Sequence, residues 1–164
     1  MAIKKPLLFK PKTNALAFGF GAGLISFAPG TWGTLVAIPL YLLIAGFSDL
    51  AYGLVVVVGF VLGIRICEHA VRSINLSSDQ ESHDHPAIVW DEIIGFLVTM
   101  FFIPVTFWNI VLGFLLFRVF DILKPWPIRW IDRKVSGGFG IMLDDIVAGI
   151  FANLAVHLVL AIVV

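Results

Sequence analysis

Charge is what this sequence has least of. Only 13% of its 164 residues are charged, 60% are hydrophobic, and 11 basic residues balance 11 acidic ones to a formal net charge of zero. With a mean hydropathy of +1.02, the chain departs from soluble composition and reads as one integral membrane domain over residues 1–164. It has no basic excess and no basic stretch interleaved with aromatics, which excludes a nucleic-acid surface. Cysteine is reduced to Cys67 alone, which excludes an internal disulfide and a thiolate metal cluster. A thiolate phosphatase loop is excluded too, because in CEHAVR the arginine, Arg72, stands one residue too close for C-x5-R. Cys67 therefore reads as packing. The N-terminal AFGFGAGLISFAPG lacks the dense apolar core and cleavage site of a signal peptide. Lys4, Lys5, Lys10 and Lys12 before it predict a cytoplasmic N-terminus.

Four apolar stretches are present: Thr34 to Phe47, Ala51 to Cys67, Ile93 to Phe117 and Ile146 to Val164. One membrane crossing takes about 20 residues, so the first is short unless its helix starts in the preceding turn. The fourth carries His157, which reads as a packed or interhelical hydrogen-bonding group. The third is interrupted by Pro104 and VTFWN near its centre. It either spans once or folds back as a hairpin. Basic residues on both flanks, Arg65 and Arg72 before it and Arg118, Lys124, Arg129, Arg133 and Lys134 after it, favour a hairpin with cytoplasmic ends. The expected fold is an all-α, multi-pass membrane protein with cytoplasmic-side polar loops.

What charge there is falls in a pattern. Two acidic pairs, Asp91-Glu92 in VWDEIIGF and Asp144-Asp145 in GGFGIMLDDIVAG, stand at the start of apolar, helix-like segments. A glycine follows each pair within three to five residues and admits the close approach of another backbone or of a ligand. Caps at helix N-termini explain one such pair more easily than two. The hairpin brings the pairs together, whereas a single crossing separates them by about 30 Å. Arg118, Asp121 and Lys124 are spaced by three, which on a helix makes a polar stripe. That stripe is open to two readings, an interfacial ion-pair ladder or a buried functional set. In APGTWGTL, Ala28 to Leu35, a turn precedes a helix that Thr31 or Thr34 is placed to cap. Its N–H groups are candidates for holding a phosphate, although the Walker lysine is missing. His83, Asp84 and His85 lack zinc-site spacing and read as a solvated loop.

Clustered carboxylates with Arg and Lys nearby suit Mg²⁺-assisted phosphoryl hydrolysis, with water as the nucleophile. An ion or proton transporter also uses intramembrane acids, but it calls for internal repeats, which are not evident here, and the acids cluster at segment ends. A membrane scaffold leaves the acidic residues without a role.

The ordered motifs FGFGAGLISFAPGTWGTLVAIPL, HDHPAIVWDEIIG, FRVFDILKPWPIRWIDR and GGFGIMLDDIVAG resemble the phosphatidylglycerophosphatase A family of bacterial lipid phosphatases, from about Ala17 to about Ala152. The resemblance implies an inner-membrane, Mg²⁺-dependent, all-helical enzyme that converts phosphatidylglycerophosphate to phosphatidylglycerol. It carries acidic motif positions onto Asp91, Glu92, Asp121, Asp144 and Asp145, and basic ones onto Arg118 and Lys124. Its glycine turn falls on Pro29, Gly30, Thr31 and Gly33. The expectation is that Glu92 and Asp145 ligate Mg²⁺, and that Asp91 and Asp144 are further ligands or orient water. Asp121 joins Asp91 and Asp144 in the catalytic set, and Thr31, Arg118 and Lys124 hold the phosphate.

Overall fold

The computed structural model describes residues 13–75 and 85–163. His83, Asp84 and the four N-terminal lysines lie outside the described residues. All regular elements among those described are helical: α1 (Thr13–Ala17), a 3-10 turn (Gly19–Leu24), α2 (Pro29–Ile44), α3 (Asp49–Asn75), α4 (Trp90–Thr99), α5 (Phe107–Leu123), α6 (Ile128–Lys134) and α7 (Gly137–Val163).

Two helices, α3 and α7, are long and apolar enough to cross a membrane. Each has 27 residues, about 40 Å at 1.5 Å per residue. Only 22% of the most apolar window of each is buried, so Leu50, Leu54, Val57 and Val61 of α3 and Leu154, Leu158 and Ile162 of α7 point outward. A soluble core helix hides such residues. His157 is also on the exposed side rather than packed between helices. Cys67 is packing, as expected: it is fully buried, with Sγ 3.8 Å from Met142 Sδ across the α3–α7 contact.

The third apolar stretch folds back. Helix α4 ends at Thr99 and α5 starts at Phe107, with Pro104 in the break. Ending a helix among apolar side chains strands its last carbonyls, which costs free energy unless donors arrive. Side chains from four helices supply them. Tyr52 Oη donates to Leu97 O at 2.7 Å, and Asn153 Nδ2 donates to Thr99 O and Phe101 O at 2.9 and 2.7 Å. Asn109 Nδ2 donates to Pro104 O at 2.8 Å, and Tyr41 Oη to Ile103 O at 3.5 Å.

Helices α4 and α7 run in the same direction and cross backbone to backbone. A methyl group on Gly149 would overlap Gly95 O, and one on Gly95 would come 2.8 Å from Asp145 O. The Thr99 hydroxyl donates to Gly95 O and reaches Gly149 O at 3.4 Å. The seam is thus Asp91, Gly95 and Thr99 of α4 against Asp145, Gly149 and Asn153 of α7, each series spaced by one helical turn. One end of this seam is polar and acidic.

Candidate active site

Asp91 and Glu92 lie in the first turn of α4, as the sequence predicts. Asp144 and Asp145 do not begin their helix. They are the eighth and ninth residues of α7, which starts at Gly137. The cause lies outside the local sequence: Gly137 has a left-handed φ of 76°, and Glu68 of α3 accepts a hydrogen bond from Gly138 N at 2.9 Å. The cap comes from another helix, so GGFGIML is helical although it precedes the apolar run.

Because Asp91 and Asp145 each stand one turn before the glycine of the crossing, the contact sets them side by side. One carboxylate oxygen from each of Asp91, Glu92 and Asp145 lies within 4.8 Å of the others. Asp91 and Asp145 are buried. Asp91 Oδ1, Glu92 Oε2 and Asp145 Oδ2 are buried atoms without a hydrogen-bond partner. Three ionised carboxylates converging with unpaired oxygens are strongly unfavourable unless a cation shares the site. All-oxygen donors suit a hard divalent ion, so the residues present fit a metal of that class.

Arg118, from the end of α5, approaches the cluster. Its Nη1 is 2.5 Å from Asp121 Oδ2 and 3.9 Å from Glu92 Oε1, and all three side chains are largely buried. Asp121 also lies close enough to Asp145 for the two carboxylates to interact. The first turn of α2 closes on the same group. A methyl on Gly30 would overlap Glu92 Oε1 and come 3.1 Å from both terminal nitrogens of Arg118. Thr31 is the next residue. Neither Thr31 nor Thr34 caps α2, contrary to the sequence-based expectation. Ala28 is the N-cap residue, in the left-handed region at φ 48°, and the Thr34 hydroxyl bonds back to Gly30 O at 2.9 Å inside the helix. The N–H groups of Thr31 and Trp32 turn back to Ala28 O at 2.9 and 3.3 Å, and Pro29 has none. The Gly30 N–H and the Thr31 hydroxyl are the donors this turn offers a ligand.

The polar stripe is shorter than its spacing predicts. Arg118 and Asp121 pair along the helix, but α5 ends at Leu123 and Lys124 turns away in a left-handed C-cap at φ 43°. Lys124 Nζ lies 2.5 Å from Asp132 Oδ1 and 2.5 Å from Asp144 Oδ2. Burial opposes its charge, but Asp144 and Asp132 outweigh that and hold the ammonium protonated, above the usual lysine range. Arg129 serves the fold, donating to Leu123 O at 3.1 Å. His85 accepts from Ala87 N at 3.2 Å within its own turn.

The eight candidate catalytic, phosphate-binding and metal-ligating residues thus gather at one end of the bundle, in two groups. Asp91, Glu92, Asp145, Asp121, Arg118 and the Thr31 turn form one, and Asp144 with Lys124 the other, joined through the neighbours Asp144 and Asp145. Glu68 and Asp132, which cap α7 and anchor Lys124, carry no sequence signal, since their partners are 70 and 8 residues away.

The profile of the family described as Phosphatidylglycerophosphatase A matches residues 15–160. The chain is 45% identical over 140 residues to phosphatidylglycerophosphatase A of Escherichia coli, covering 85% of this chain and 78% of that protein. It is 42% identical over 156 residues to phosphatidylglycerophosphatase A of Haemophilus influenzae, covering 94% and 91%. No solved structure matches it significantly. Matched over nearly its whole length, the chain belongs to the phosphatidylglycerophosphatase A family.

Proposed function

We propose that this chain is a multi-pass bacterial inner-membrane enzyme that hydrolyses the terminal phosphomonoester of phosphatidylglycerophosphate to phosphatidylglycerol and phosphate, with Mg²⁺ as cofactor. The observation that carries this reading is the convergence of Asp91, Glu92 and Asp145 within 4.8 Å beside the Arg118 guanidinium. Family membership supplies the substrate class.

In this reading Asp91, Glu92 and Asp145 hold the metal, which neutralises phosphoryl charge and polarises the phosphorus when bound. Asp91 moves from the catalytic set into the ligand set because one of its carboxylate oxygens lies within 4.8 Å of those offered by Glu92 and Asp145. Arg118, oriented by Asp121, and the Thr31 hydroxyl grip non-bridging phosphate oxygens. An ammonium has three N–H donors, so Lys124 keeps one for the phosphate while Asp132 and Asp144 take two. Asp144 thereby positions Lys124. Water attacks phosphorus, the bond to the glycerol oxygen breaks, and that oxygen leaves with a proton. Asp121 takes up the proton of the attacking water and returns it to the departing glycerol oxygen. The cations of α6, Arg129, Arg133 and Lys134, support a cytoplasmic placement of this end.

The test is to supply detergent-purified protein with phosphatidylglycerophosphate and quantify phosphate and phosphatidylglycerol together. Equimolar formation of both is expected. Folded protein that releases neither would overturn the reading.

A further inference from the structure

The cavities that indent the described residues include two apolar ones. One, about 420 Å³, lies between α3 and α7 against Phe60 and Ile150. Another, about 490 Å³, lies between α2, α3 and α4 against Leu43 and Ile94. A further one, about 130 Å³, is more polar than these and sits where α6 meets the start of α7, lined among others by Asp132, Arg133, Ser136, Gly137 and Asp144.

We infer that this polar pocket is a headgroup subsite that binds the part of the lipid between its two phosphates, with Arg133 taking the phosphodiester and Ser136 and Asp132 the glycerol hydroxyl. The inference rests on the phosphatase reading above. Asp144 is the bridge: it lines the pocket, pairs with Lys124 and directly precedes Asp145 of the carboxylate cluster on α7. The charges in the pocket differ in how they are balanced. Asp132 and Asp144 are both satisfied by Lys124. Arg133 is exposed and, among the described residues, pairs with no carboxylate, leaving one uncompensated cation at the wall. A guanidinium free in a polar pocket beside a phosphomonoester site matches a second, singly charged phosphate. A substrate with two phosphates joined by glycerol presents that diester, together with a hydroxyl for which a serine and a carboxylate are suitable partners. A lipid whose phosphomonoester sits directly on its diacylglycerol has neither group, so the pocket would select the headgroup rather than the scissile bond.

Phosphatidylglycerol keeps the diester and the glycerol but lacks the monoester, and inorganic phosphate is the reverse. The experiment measures inhibition of phosphatidylglycerophosphate turnover by each of these, in mixed micelles, for the wild type, Arg133→Gln, Ser136→Ala and Lys134→Gln. Lys134 removes the same charge from the same exposed helix without lining the pocket. For Arg133→Gln the inhibition constant of phosphatidylglycerol should rise roughly fivefold or more, as loss of a charge-assisted hydrogen bond implies, and that of inorganic phosphate should stay unchanged. Ser136→Ala should give a smaller shift with the same selectivity. An unchanged phosphatidylglycerol constant, an equal rise for both inhibitors, or an equal effect in Lys134→Gln would overturn the subsite while leaving the phosphatase reading intact. No turnover by the folded wild type would overturn both.

Discussion

A missing methyl group at Gly30 is what lets α2 lie against the Glu92 carboxylate and the Arg118 guanidinium. Gly30→Ala should therefore lower turnover at least roughly tenfold, because displacing either group by a fraction of an ångström disrupts positioned catalysis. Thermal denaturation should show the variant still folded, and a variant with wild-type turnover would mean that the α2 turn does not touch the working site. Lys124 bears on the second group. Lys124→Met leaves Asp132 and Asp144 facing each other without their shared cation, so phosphate release should fall about a hundredfold, with partial recovery in Lys124→Arg. The acidic and basic residues of the site were legible because so few charges occur in this chain. Their division of labour was not, since neighbouring residues on a helix point about 100° apart. Only the crossing reveals that Asp91 and Asp145 face each other while Asp144 turns to Lys124.

Among the elements, the broken α4–α5 hairpin shows what the bundle must do to stabilise a helix end among apolar side chains. Asn153 supplies hydrogen bonds to two carbonyls that would otherwise be stranded at the end of α4. Asn153→Leu should lower stability by about 1–3 kcal/mol, read as a reduced melting temperature in detergent, and an unchanged value would show that other donors serve this break. Gly149→Val tests the crossing itself. Its side chain would force α4 from α7 and pull Asp91 from Asp145, so turnover should fall more than the melting temperature suggests. The hairpin was readable from Pro104 and the flanking cations, and the close crossing from the glycine after each acidic pair. The start of α7 was not readable, because its cap, Glu68, comes from another helix.

On the scale of the whole molecule, the site collects the beginnings of α2 and α4, the third turn of α7 and the end of α5 at one end of an outwardly apolar bundle. That arrangement predicts a one-sided topology. Cys67 is fully buried, so cysteines introduced elsewhere can be read against little background. A membrane-impermeant maleimide should label Ser136→Cys from the cytoplasmic face of inner-membrane vesicles and leave Phe102→Cys, at the hairpin tip, unlabelled from that face. Labelling of Ser136→Cys only from the opposite face would invert the orientation.

The account stands or falls on Asp91, Glu92 and Asp145 acting together as a divalent-cation site for phosphoryl hydrolysis. The most direct test is phosphate release from phosphatidylglycerophosphate as free Mg²⁺ is titrated from chelator to excess, in the wild type, Glu92→Gln and Asp145→Asn. The account predicts saturable, chelator-reversible activity in the wild type and loss of turnover in both variants that added Mg²⁺ does not restore. Near wild-type rates in the variants at limiting Mg²⁺, or wild-type activity indifferent to chelator, would contradict it.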